Sequence, residues 1–222
     1  MLLEISFTSL GKSIKYIELI TAIVGSIYYY KYKHTFLKYF LIVLWYVTIN
    51  GFLGRFLFEN YILRNNTIIY NIYHFINFSF LLFLFKTYIK NEKQKLWIVG
   101  FIITYIISIG IDSIFFRDYL LKIQVIPFII GGLFIIISIV FYFLEILNTN
   151  KVLYVSKNLL FWISIGLLLY FVGKISTRII RNYYWKDISF YNEILVVEFI
   201  LSIVMNICFI TGFICSKKDK QY

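Results

Sequence analysis

The chain has 222 residues, 61% hydrophobic, 22% aromatic and only 15% charged, with a formal net charge of +11. A soluble domain is nearer half apolar, so a mean hydropathy of +0.81 excludes an ordinary water-soluble fold and points to an integral membrane protein in contact with a lipid bilayer. The basic excess does not indicate nucleic acid, because the cations gather at the ends of apolar runs, where the positive-inside rule puts them.

The N-terminal stretch MLLEISFTSLGKSIKY has neither the charged start nor the small-residue cleavage site of a signal peptide and reads as a mature N-terminus. A membrane-spanning helix needs about 20 mostly apolar residues. Seven such runs follow in chain order, over 14–31, 36–58, 67–88, 96–116, 124–147, 158–180 and 194–215. They are separated by polar breaks such as YKYKHT, KTYIKNEKQK and LNTNKVLYVSKN, and the least distinct boundary is around FFRDYLLKIQ. No alternation of the outer-membrane barrel kind is present. The expectation is therefore a single all-α domain over 1–222, an integral membrane bundle of seven transmembrane helices.

Counted by side of the membrane, the connections and adjoining span ends carry 12 and 9 basic residues, with Lys174 left deep in the sixth run. The richer side includes Lys31, Lys90, Lys93, Lys95 and the SKKDKQY tail. By the positive-inside rule that side is cytoplasmic, so the N-terminus is expected outside and the C-terminus cytoplasmic. Usage of Ile, Phe, Tyr, Lys and Asn fits an AT-rich genome, and the expected location is a bacterial inner membrane. Tyr28–Tyr30 and Trp97 on one side, with Tyr183, Tyr184, Trp185 and Tyr191 on the other, read as aromatic interface belts.

The polar residues inside the runs are uneven in depth. On this topology Glu18, Asn50, Arg55, Asn71, His74, Asp112, Lys174, Arg178 and Glu198 all fall in the outer half. The inner halves, FLKYFLIVLW, FLLFLF, LWIVGFII and IIISIVFYFL, hold almost no ionisable group, Glu145 being near the inner end. Spacing collects these residues into stripes: Thr104, Ser108 and Asp112; Glu198, Ser202 and Asn206; Tyr170, Lys174 and Arg178; Tyr70 and His74. A charge at mid-bilayer costs about 2.5–3.5 kcal/mol on insertion scales, so such stripes should face the bundle interior. Lys174 needs a counter-charge, and Glu18, Asp112 and Glu198 are at similar depth. Glu18, His74, Asp112, Lys174, Arg178 and Glu198 thus form the expected ligand site, with the two cations binding a small anionic ligand and the acids holding them in place.

Small pairs, Thr21 with Gly25, Ala22 with Ser26, and Gly131 with Gly132, read as close-packing positions. Cys208 and Cys215, seven residues apart on one helix, are too distant to pair and read as packing residues.

Chemistry is thinly represented. Only two histidines are present, His34 on a connection, so a metal centre is not expected, and no cofactor is implied. No Gly-x-Ser-x-Gly elbow marks a nucleophile, which argues against an enzyme, although His74 beside Asp112 or Glu198 would make an acid–base pair. A retinal pigment of the microbial rhodopsin kind would carry its lysine in the last span, whereas the buried Lys174 lies in the sixth. A small-solute transporter needs a polar route through the inner half, and none is present. The favoured expectation is a receptor- or sensor-like module whose cytoplasmic loops, about ten residues long, would be read by a separate membrane or cytoplasmic signalling partner. The alternatives are a transporter and a structural or assembly subunit of a membrane complex.

Overall fold

The computed structural model describes residues 7–59, 67–116, 122–148, 150–183 and 188–217. Among these the structure is all-helical, with seven long helices and no strand: α1 Phe7–Ile27, α2 Lys38–Glu59, α3 Thr67–Tyr88, α4 Glu92–Ile111, α5 Ile126–Leu147, α6 Leu159–Tyr183 and α7 Ile188–Cys215. Arg64, Arg117, Tyr184, Trp185 and Lys186, and the side chains of Lys12, Arg55, Tyr183 and Tyr191, lie outside the described residues and side chains.

Five helices, α3 to α7, are long and apolar enough to cross a membrane. α1 carries Lys12, Lys15 and Glu18 within its 21 residues, and α2 has an apolar stretch at Lys38–Gly54 within its 22. The expected span 14–31 is also displaced: α1 starts seven residues earlier and stops at Ile27, where Tyr29–Lys31 forms a 3-10 turn. The third run, 67–88, coincides with α3, and the fifth with α5 to within two residues.

The chain divides into two compact units. The first is discontinuous, residues 1–48 with 156–222, and the second is 49–155.

In the first unit α7 packs against both α6 and α1. The end near Cys215 is knitted by the connection after α1. Lys31 Nζ donates to the carbonyls of Phe213 and Ile214 at 3.0 and 2.7 Å, occupying acceptors that a helix C-terminus leaves without intrahelical partners. The Tyr32 hydroxyl donates to Gly25 O at 2.6 Å, its ring lies 5.5 Å from Phe213, and burial pushes its phenol up. Phe40 of α2 meets Phe209 edge-on at 5.2 Å. At Gly25 an added Cβ would stand 3.1 Å from Leu41 and from Phe213, so the small pair in α1 is indeed a close-packing site.

In the second unit α3, α4 and α5 pack pairwise. Asn91 caps α4 by accepting from the N–H groups of Lys93 and Gln94. Glu145 near the end of α5 accepts from the N–H of Lys90 at 2.8 Å, tying the α3–α4 connection to α5. At the far end of α4 the helix widens into a π-helical turn over Asp112–Phe116. Residues 122–125, ahead of α5, are held by side chains. Asn71 Nδ2 donates to Lys122 O at 3.0 Å, Gln124 N donates to Asn71 Oδ1 at 3.3 Å, and Gln124 Nε2 donates to Ser113 Oγ at 2.6 Å. Backbone groups without a helical partner are satisfied this way by side chains.

Gly100 and Gly110 face open space, with nothing within 4 Å of an added Cβ. Gly100→Ala is therefore expected to stabilise α4 by about 0.5–1 kcal/mol, from helix propensity alone. Denaturant unfolding in detergent would measure it.

Candidate functional site

Six residues were expected to share one site. Glu18, Lys174, Arg178 and Glu198 belong to the first unit, and His74 and Asp112 to the second.

The first group is built on the antiparallel packing of α6 and α7. Three glycines let the helices approach. An added Cβ at Gly212 would stand 2.7 Å from Trp162 Cβ, at Gly166 3.0 Å from both Cys208 Cβ and Met205 O, and at Gly173 within contact distance of all the branched end of Leu201. Each advance along α6 meets a retreat along α7, and this register brings Lys174 opposite Glu198.

Lys174 Nζ lies 2.5 Å from Glu198 Oε2. Thus Glu198, of the three acids at similar depth, is the partner of the buried lysine. Arg181 Nη1 reaches the same oxygen at 3.5 Å, and the Thr177 hydroxyl donates to Oε1 at 3.2 Å. One carboxylate of α7 therefore receives three groups of α6. Arg178, 7% exposed, is buried on the same α6 face. Glu18, Arg178 and Glu198 are all within electrostatic reach of Tyr170, and Lys15 is within reach of Glu18. The Lys174 ammonium also lies 5.9 Å from the Tyr170 ring centre.

The polar stripe continues down α7 as the sequence spacing implied. Glu198, Ser202 and Asn206 are all buried. Ser202 Oγ donates to Glu198 O, Asn206 Nδ2 donates to Ser202 O at 2.8 Å, and the Thr21 hydroxyl of α1 lies 2.7 Å from Asn206 Oδ1. No protein family, curated protein or solved structure matches this chain. The site is therefore read from its own chemistry.

In the second unit Asp112 is 1% exposed, at the junction of α4 with the π turn, and Ser108 is buried one turn before it. Thr104 is exposed and bonds back to Gly100 O. The expected stripe fails at its first member: the buried positions there are 105, 108 and 112, a three–four rhythm in which Tyr105 takes the place expected of Thr104. His74 is packed among rings, with Phe128 and Tyr73 at 5.1 Å and Phe78 at 6.0 Å, and its carbonyl accepts from the Tyr105 hydroxyl at 3.3 Å. Tyr70, its expected companion, is exposed. Among the described residues no three His, Cys, Asp or Glu gather as a metal site would need.

Arg181 and Thr177 were not singled out as site residues. The signal was present: 174, 177 and 181 follow the three–four spacing of one helix face. Arg181 lies one residue beyond the expected sixth run, 158–180.

Proposed function

We propose that the chain is a sensor-like module of a bacterial inner membrane, with seven spans, N-terminus outside and C-terminus cytoplasmic, that takes a small anionic ligand in an outward-facing polar pocket on α1, α6 and α7. The observation that carries this reading is the convergence of Lys174, Arg181 and Thr177 on a single carboxylate, with Arg178 buried on the same face. Around it lie Lys15, Lys174, Arg178 and Arg181 with Glu18 and Glu198. Ionisable residues inside a membrane are costly for the fold and are characteristic of functional positions. α1 and α2 complete the seven spans in this reading, α1 being joined to α7 through Thr21 and Asn206. The apolar inner halves offer no exit, which favours detection over transport.

A second reading, an architectural or assembly subunit, is favoured by the direct match of Lys174 with Glu198. Thermal unfolding of the protein in nanodiscs with acetate, succinate, phosphate and sulfate separates the two. A sensor is expected to be stabilised by at least one of these anions, at concentrations at least about tenfold lower than Arg178→Met requires. It should also pass none of them in a liposome flux assay. Stabilisation by none supports the architectural reading, and flux supports a transporter.

A further inference from the structure

We propose that the end of the first unit where α1, α6 and α7 meet binds the headgroup of an anionic phospholipid, a singly charged phosphodiester held at the membrane surface. Separate chain segments converge there. The turn after α1 is fastened to the last turn of α7 by Lys31 Nζ, which donates to the carbonyls of Phe213 and Ile214 at 3.0 and 2.7 Å. The segment before α6 joins them through the Lys217 N–H, which donates to Lys157 O at 3.1 Å. Trp162 Nε1 of α6 donates to Ser156 O at 2.8 Å and fixes that segment. Each segment brings an exposed lysine, Lys33, Lys157 and Lys217. Residues 28–38, 156–162 and 212–217 contain no aspartate or glutamate, and the KDKQY that follows adds two lysines for one aspartate. A surface of one sign at the junction of several segments attracts a counter-charge.

Lys31 prepares this surface for an anion. A helix C-terminus carries about half a negative charge on its last carbonyls, which would repel a phosphate. The Lys31 ammonium covers the Phe213 and Ile214 carbonyls and also lies 4.4 Å from the Tyr28 ring centre. The exposed lysines therefore act without opposition from the α7 terminus. Tyr29 and Tyr30 beside them are exposed, as tyrosines at a lipid–water interface are. Ile27 at the end of α1 and Ile214 at the end of α7 are exposed too, and acyl chains would cover them. A soluble phosphate would use the lysines alone, whereas a phospholipid uses the cations and the apolar flank together. This surface is about 25 Å along α7 from Glu198, so it stands apart from the anion pocket proposed above.

The test uses the full chain in phosphatidylcholine nanodiscs that carry a trace of spin-labelled phosphatidylglycerol or spin-labelled phosphatidylcholine. The readout is the ratio of their association with the protein. A lysine near an anionic surface contributes about fivefold, so wild type is expected to prefer phosphatidylglycerol by at least about that factor. Lys157→Gln/Lys217→Gln should lower the preference at least about threefold. Lys90→Gln/Lys93→Gln removes the same charge from the connection between α3 and α4 and should leave the preference nearly unchanged. An equal fall in both double variants overturns the site in favour of a general effect of net charge. A wild-type preference near one overturns an anionic lipid as the ligand. Displacement of the labelled lipid by millimolar glycerol 3-phosphate assigns a soluble phosphate instead, and displacement by a poly-glutamate peptide assigns an acidic protein; either overturns the lipid. Lys217 is exposed and follows α7, so Lys217→Gln alone carries the same test with a smaller fall should the double variant not fold.

Discussion

Glu198→Ala is expected to destabilise the protein by about 3–5 kcal/mol, the loss typical of removing one partner from a buried ion pair. Lys174→Met should destabilise less, by about 1.5–3 kcal/mol, the contribution of a hydrogen bond to a charged group. The asymmetry follows from the connectivity. Removing Glu198 leaves Lys174 and Arg181 facing each other with their shared acceptor gone, and Thr177 loses one of its two acceptors. Removing Lys174 leaves the carboxylate with Arg181 and Thr177, and the methionine stem fills most of the volume of the lysine stem. Chemical unfolding of both variants in one detergent gives the comparison. Equal losses would show that Arg181 does not support Glu198, and a larger loss for Lys174→Met would overturn the arrangement of the cluster.

Gly131→Val should be the most damaging single change in the second unit, with a loss of about 3 kcal/mol. A Cβ at this position of α5 would meet Phe78 Cδ1 at 2.7 Å and Tyr105 Cε2 at 3.0 Å. Both rings are fully buried, and Phe78 is also in contact with Phe128 at 5.4 Å, so neither can swing aside as an exposed chain end would. The alanine variant should lose less, because its gain of about 1 kcal/mol in helix propensity offsets part of the clash. A valine variant as stable as wild type would mean that α3, α4 and α5 do not pack through this contact.

Helical content and the approximate ends of α3 and α5 were legible in the sequence because apolar length alone decides them. α1 was harder. Its polar residues Lys12, Lys15 and Glu18 lie where a run of apolar residues should start, and the helix extends through them to Phe7. The α7 stripe Glu198–Ser202–Asn206 was legible because all three positions meet a neighbouring helix, whereas Thr104 turns outward although its spacing is the same. The partner of Lys174 was not legible, since choosing among three acids requires the helix register that Gly166, Gly173 and Gly212 set. Spacing along one helix places residues on a face but does not say which face opposes it.

The tie between Lys31 and the last turn of α7 bears on how the chain is made. α1 carries Lys12, Lys15 and Glu18 within its length. Its packing partner, α7, is synthesised about 180 residues later, and the Lys31 ammonium meets its acceptors at Phe213 and Ile214 only then. At common elongation rates that interval is on the order of ten seconds. During it α1 is without α7 while the 49–155 segment is made. Assembly of the unit formed by 1–48 and 156–222 thus waits for α7, and loss of Ile188–Cys215 would leave α1 without that partner.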